Sequence, residues 1–181
     1  MSNFVVNPYR FAGDDCTEQE QLLSNDNRPI YLVAEGGTGM WLATSDALGV
    51  GATLQKFSGF VKASGSPTGT LYCRVYNQTS PPDQSATLET QADTTVDVST
   101  IGTSSYEEIE FEFDGSYTLQ TGDFILLWYT EGDGSNYLAV QFQTSDVYDG
   151  TDSVAGWHQV ANGGYIANSS YDATMKITYC E

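Results

Sequence analysis

Residues that could carry out acid-base or nucleophilic chemistry are scarce in this sequence, apart from its carboxylates. His158 is the only histidine among 181 residues, so a Ser-His-Asp or Cys-His arrangement has one candidate base. It follows Trp157 in a segment of small residues, and the sequence contains no GxSxG elbow. It also contains no Walker, GxGxxG or HExxH pattern. We therefore expect a protein that is not an enzyme, in which His158 has a structural or contact role.

The carboxylates allow glycoside hydrolysis or cation binding. A glycosidase needs two acids about 5 to 9 Å apart, but the sequence indicates no long cleft to hold such a pair. Calcium is the stronger hypothesis, because it prefers oxygen ligands on loops. The candidate ligands are Glu131, Asp133, Asn136 and Asp149. Their spacing differs from that of an EF-hand loop, so plain turn formation stays open as the alternative.

Aromatic residues in loops are the main indication of a binding surface. Twelve tyrosines and three tryptophans exceed what a core of this size needs. Four of these aromatics lie in or beside Gly- and Asp-rich segments of the second half: Tyr137, Tyr148, Trp157 and Tyr165. Such rings stack on sugars and also anchor protein interfaces. The sequence predicts a glycan or receptor site here, and tyrosines that bridge core and solvent at strand ends are the open alternative.

The charge balance argues against several partners. Asp and Glu number 24 against six Lys and Arg, which gives a net charge of -18. Nucleic acids and anionic membranes attract clustered basic residues, so we expect neither as a partner. The longest apolar run, Phe124 to Tyr129, is too short to cross a bilayer. A content of 40% hydrophobic and 13% aromatic residues predicts a folded chain.

The three cysteines, Cys16, Cys73 and Cys180, are widely and irregularly spaced. This pattern favours reduced thiols in a protein assembled in the cytoplasm, although a Cys16–Cys180 bridge stays open if the two ends of the chain meet. The first residues have neither the basic nor the apolar region of a signal peptide. We therefore expect assembly in the cytoplasm without such a peptide.

Hydrophobic periodicity predicts strands nearly everywhere. From Tyr106 to Phe113, three glutamates alternate with apolar residues, as in a half-buried strand with a carboxylate face. Similar alternation marks Leu71 to Tyr76 and Ala173 to Tyr179. The unbroken apolar run Phe124 to Tyr129 predicts a central strand covered on both faces. Turn-forming clusters between these strands are typical of a sandwich or barrel.

We predict two parts, an N-terminal extension over residues 1–28 and an antiparallel jelly-roll-like β-sandwich over residues 29–181. The only helical candidate is Thr17 to Leu23, where Thr17 and Glu20 could form a capping box. The extension would act as an arm that docks on a neighbouring subunit, because an extended segment can add a strand or fill pockets. Its apolar anchors would be Phe4, Val5, Tyr9 and Phe11.

Two turns carry a family resemblance: Gly65-Ser66-Pro67-Thr68-Gly69, and Leu119-Gln120-Thr121-Gly122-Asp123 before the apolar strand. The resemblance continues through further segments: Phe57, Leu71 to Tyr76, Phe111 to Phe113, Asn136-Tyr137, Tyr148 to Gly150, Trp157 and Asp172 to Ile177. From about Thr53 onward the chain resembles the choice-of-anchor R type sandwich domains of bacterial surface proteins and of phage or metagenomic virion proteins. This resemblance implies a sandwich fold, whereas such domains serve many functions.

The first residues of the chain favour the virion branch of this family over the bacterial surface branch. Residues 4–11 look like the leader of phage and virus structural proteins, and the sequence lacks the export signal and cell-wall anchor of the bacterial surface members. We therefore expect a structural or surface-display protein of a virion or extracellular assembly, such as a capsid decoration, tail or fibre component. Its partners would be copies of itself or other assembly proteins. The alternative is a carbohydrate- or receptor-binding module that recognises glycans or a host receptor.

Overall fold

Strands make up nearly all the regular structure of this protein. The computed structural model describes residues 15–21, 27–32, 36–42, 49–77, 87–143, 155–159, 164–168 and 172–181. Within these ranges the strands are β1 (Cys16–Gln21), β2 (Asn27–Leu32), β3 (Gly36–Trp41), β4 (Thr53–Ser64), β5 (Thr70–Asn77), β6 (Thr87–Gln91), β7 (Val96–Asp97), β8 (Glu107–Glu112), β9 (Asp123–Tyr129), β10 (Tyr137–Gln143), β11 (Ala155–Gln159), β12 (Gly164–Asn168), β13 (Asp172–Ala173) and β14 (Met175–Cys180). A short 3-10 helix spans Val98–Thr100. Among the described residues, no helix has the length and hydrophobicity needed to cross a membrane.

The first sheet, called sheet A, is built around the long strand β4. On one side β4 pairs with β8, and on the other it pairs with β14 and then with β10. β1 lies beside β14, β2 lies beside β10, and the short strand β13 also pairs with β10. All these pairings are antiparallel.

The second sheet, called sheet B, has the strand order β12-β11-β3-β9-β5-β6, with β7 also paired to β5. From β3 to β5 and again from β8 to β11, successive strands alternate between the sheets, a connectivity of the jelly-roll kind. The predicted all-β antiparallel sandwich is therefore confirmed. Residues 16–21 of the predicted extension are a strand of sheet A.

The main core lies between the two sheets and is formed by alternate residues of their strands. Phe57 and Val61 of β4 point inward from sheet A, and Leu71, Cys73 and Val75 of β5 are among the residues that meet them from sheet B. All are essentially inaccessible to solvent. Alternation along each strand therefore separates a buried face from an outer face.

Two strand predictions are confirmed residue by residue. In β8 the predicted carboxylate row stays exposed while Phe111 is fully buried. All seven residues of β9 are buried, because β9 lies between β3 and β5 and carries apolar side chains on both faces. Its outer side chains Phe124, Leu126 and Trp128 form a second, smaller cluster.

The predicted helix at Thr17 to Leu23 was wrong, because Cys16–Gln21 is the strand β1. A capping box contributes little to a segment this short, since isolated short helices are marginal in water. Pairing with β14 over six residues provides partners for the backbone groups of β1 that face β14 instead. Tertiary context thus overrides the local preference.

The prediction of reduced thiols was wrong for two of the three cysteines. Cys16 and Cys180 lie opposite each other on β1 and β14 and form a disulfide across a sequence separation of 164 residues. Cys73 is a free thiol in the core, and burial raises its pKa well above the usual value. The bridge joins the two ends of the described chain at the edge of sheet A.

The turn before β9 is held by a buried carboxylate. Gly122 adopts a positive φ of 94°, and the Asp123 N–H donates to the Gln120 carbonyl. The Asp123 carboxylate accepts hydrogen bonds from Asn77 Nδ2 (2.6 Å), from the Gln120 N–H (2.7 Å) and from the Tyr117 hydroxyl (3.0 Å). Asp123 thereby ties the end of β5 to the start of β9.

Candidate ligand-binding site

A small cavity on the outer face of sheet A brings three tyrosines and a lysine together. Its volume is about 240 Å³. The name tyrosine pocket is used here for this cavity, whose main walls are Tyr31, Tyr106, Tyr137 and Lys62, with Ala139 between them. Tyr31 and Tyr137 meet edge to face, with ring centres 5.1 Å apart. Tyr31 remains 49% exposed, so the pocket is open to solvent.

Strand register explains why these residues meet. Tyr31 of β2 and Lys62 of β4 lie opposite Ala139 of β10, one on each side, which places the small Ala139 side chain between two long ones. Tyr137 stands two residues along β10 on the same face. Tyr106 comes immediately before β8, whose first residue pairs with the neighbour of Lys62 on β4. Four separate segments thus form one concave surface.

Lys62 differs from the other two lysines of the chain in its surroundings. Lys56 bridges Glu110 and Glu112, at 2.9 and 3.2 Å. Lys176 likewise bridges two glutamates, on β1 and β8. The Lys62 ammonium instead lies 4.9 Å from the centre of the Tyr106 ring, and it forms no ion pair with any described residue.

Tyr106 is the tyrosine of the pocket whose pKa is raised by its surroundings. Burial raises the pKa of Tyr106, and the nearby hydroxyls of Tyr31 and Tyr137 act in the same direction, because neighbouring phenolates would repel one another. Neutral phenols both donate and accept hydrogen bonds. The walls therefore offer ring faces for stacking and hydroxyls for hydrogen bonding.

The described residues that line the pocket are aromatic, small or hydroxyl-bearing, apart from one lysine. None of the described residues that line it is Asp or Glu, whereas a glycosidase needs two such acids. Its volume is below the range of about 300–1,000 Å³ typical of pockets for drug-sized ligands, which suits a single sugar ring or a group of similar size. Stacking, hydrogen bonding and one positive charge are what this arrangement can provide.

Of the four aromatic residues predicted to bind a partner, Tyr137 is the one that the described residues place in this pocket. Trp157 and Tyr165 lie on β11 and β12 of sheet B, where Trp157 pairs with Ile166 and Tyr165 with His158. Tyr148 lies outside the described residues. The structure thus separates Tyr137 from Trp157 and Tyr165, and the role of those two residues stays a prediction.

The predicted calcium ligands that are described take part in turns. Asp133 accepts hydrogen bonds from the Ser135 and Asn136 N–H groups, which lower its pKa. The Asn136 side-chain oxygen accepts from the Ser66 N–H. The Glu131 carboxylate packs so closely on Gly69 that a side chain there would collide with it.

The calcium site itself stays a prediction. In the described ranges, His, Cys, Asp and Glu side chains nowhere form a group of three that could hold a metal ion. Asp149 lies outside the described residues. So do the arm residues Phe4, Val5, Tyr9 and Phe11.

A second aromatic cluster occupies the outer face of sheet B. Trp41 stacks on Phe124 with ring centres 5.4 Å apart. The Arg74 guanidinium lies over Tyr72 and Trp128, at 4.7 and 5.5 Å. Because Phe124 and Trp128 are buried, this cluster offers little open surface and is better interpreted as packing.

Three residues of the tyrosine pocket were not among the sequence-predicted site residues: Tyr31, Lys62 and Tyr106. Each is a polar or aromatic residue at an outward position of a strand or next to one. The available signal was a tyrosine or lysine on the exposed side of an alternating pattern. No family model, curated protein or solved structure matches this chain.

Proposed function

We propose that this chain is a non-enzymatic display protein whose sandwich binds a saccharide through the tyrosine pocket. The observation that carries this proposal is the convergence of three tyrosine rings and Lys62 around a solvent-open cavity. Sugars are recognised by aromatic stacking together with hydrogen bonds to their hydroxyls, and the pocket offers both. The carbohydrate-binding alternative thus becomes the leading hypothesis.

Replacement of a pocket wall should weaken this binding. We expect Tyr137→Ala to weaken glycan binding about tenfold or more, because it removes a stacking face and the partner of Tyr31. A glycan array identifies the glycan that the wild type binds most tightly. The affinity of each purified protein for this glycan is then measured by titration, with tryptophan fluorescence or calorimetry as the readout.

The matched control is Tyr72→Ala, which removes a partly buried tyrosine from the outer face of sheet B. It should leave affinity unchanged. Equal losses in both variants, or a wild-type protein that binds no glycan on the array, would contradict the proposal.

A virion or extracellular assembly is the setting proposed for this display protein, as the resemblance to choice-of-anchor R domains suggests. The specific support is the Cys16–Cys180 disulfide, because such bonds persist outside the reducing cytoplasm. The bridge also fastens β1 to β14 where residues 1–14 join the sandwich, and β1 is an edge strand among the described strands. An arm attached there would transmit the force of docking to a strand that is covalently bonded to its neighbour.

Deletion of residues 1–12 tests the docking role proposed for this arm. We expect the melting temperature to change by less than about 2 °C, because the deletion spares every described strand, while assembly into oligomers or particles is lost. Light scattering and sedimentation of both proteins would measure this. A second variant with Phe4, Val5, Tyr9 and Phe11 all changed to Ser keeps the chain length. If either variant assembles like the wild type, the docking role is wrong.

A further inference from the structure

We propose that the tyrosine pocket selects acidic sugars, and that Lys62 binds the ligand's carboxylate. This inference rests on the saccharide-binding function proposed above and names its ligand class. It concerns the charge of the ligand, which neither the aromatic walls nor the fold determines.

Lys62 has no glutamate partner among the described residues, unlike the other two lysines. In a chain with 24 acidic residues, Lys56 and Lys176 each contact two glutamates. Lys62 lies on the same outer face of β4 as Lys56, yet it forms no ion pair with any described residue. Its positive charge is therefore available to an anion that enters the pocket.

The Lys62 ammonium lies at one side of the pocket, across Ala139 from Tyr31. Lys62 and Tyr31 stand on opposite sides of Ala139, so a ligand resting over Ala139 has an aromatic ring on one side and a cation on the other. The Tyr106 ring lies beneath the ammonium at 4.9 Å and limits its freedom. A sugar that stacks on the tyrosines would present a ring substituent to Lys62.

The single positive charge of the pocket favours a carboxylate over a phosphate as the ligand's anionic group. One lysine matches one negative charge, whereas phosphates are usually held by several donors or by the planar fork of arginine. The net charge of -18 also repels a dianion more strongly than a monoanion. Uronic and sialic acids carry a single carboxylate on a sugar ring, and they fit these conditions.

Two matched ligand pairs test the inference: methyl glucuronide against methyl glucoside, and sialyllactose against the methyl ester of sialyllactose. We expect one acidic member to bind the wild type about tenfold more tightly than its neutral partner, the size of effect expected from a charge-assisted hydrogen bond. Lys62→Met should remove this preference, so that the acidic and the neutral member of each pair bind with equal affinity, and Lys62→Arg should restore most of it.

Lys56→Met is the matched control, because it removes the same charge from the same face of β4 at a site that contacts glutamates instead of the pocket. It should leave the preference unchanged. If the neutral sugars bind and both acidic ones gain nothing, the carboxylate inference is wrong while saccharide binding stands. If no sugar of either pair or of the array binds, both fall. A preference that survives in Lys62→Met would assign the charge selection to another residue.

Discussion

Loss of the Cys16–Cys180 disulfide is expected to lower the free energy of unfolding by about 4 kcal/mol. The bond closes a sequence separation of 164 residues, so its removal returns a large amount of conformational freedom to the unfolded chain. It also frees β1, which pairs with β14 at the edge of sheet A. Guanidinium unfolding of Cys16→Ser should measure the loss.

The control compares the two single cysteine variants with the double variant. Cys16→Ser, Cys180→Ser and the double variant should have the same stability, since each removes one and the same bridge. A reductant should shift the wild type to that level and leave the variants unchanged. If the reduced wild type unfolds at the same denaturant concentration as the oxidised protein, the bridge contributes nothing to stability.

Much of the fold could be predicted because its periodicity is local. Glu108, Glu110 and Glu112 of β8 alternate with apolar residues, and that pattern fixes which face of the strand is buried. The unbroken apolar run of β9 is short and directly follows Gly122 and Asp123, which favours a strand covered on both sides over a buried helix. In both cases one segment carries the whole signal, so no knowledge of its neighbours is needed.

The edge of sheet A could not be predicted in this way. Thr17 and Glu20 match a capping box, but the decision between helix and strand depends on β14, which lies at the other end of the chain. The disulfide has the same origin, because Cys16 and Cys180 become neighbours only through that pairing. Spacing in the sequence says nothing about such a contact.

The tyrosine pocket was missed for a related reason. Tyr31, Lys62, Tyr106 and Tyr137 are separated by about thirty or more residues from one another, and register across β2, β10 and β4 assembles them. Aromatic richness pointed to a binding surface, and it led to Tyr137 but not to the other walls. Sequence composition can suggest that a surface binds, whereas strand register decides which residues share it.

Replacement of Asp123 by alanine is expected to lower the free energy of unfolding by about 3 kcal/mol. The carboxylate is inaccessible to solvent and accepts hydrogen bonds from Asn77, Gln120 and Tyr117. Alanine would leave these donors without their acceptor where β9 begins, and water reaches a buried position poorly. Asp114→Ala is the control, since that exposed carboxylate also caps a turn by accepting hydrogen bonds from Ser116. This variant should lose much less unfolding free energy than Asp123→Ala.

The pH dependence of Asp123→Asn separates the charge from the hydrogen bonds. Burial raises the pKa of Asp123 above its ordinary value of 3.8, and the hydrogen bonds from Asn77, Gln120 and Tyr117 only partly oppose this. Between 3.8 and the raised value, the folded protein holds a proton that the unfolded chain has released, so this group stabilises the fold as the pH falls. The stability of the wild type relative to Asp123→Asn should therefore increase from pH 7 toward pH 4, as measured by urea unfolding at each pH. A difference that shrinks over this range would mean that hydrogen bonding outweighs burial and that the carboxylate prefers to be charged.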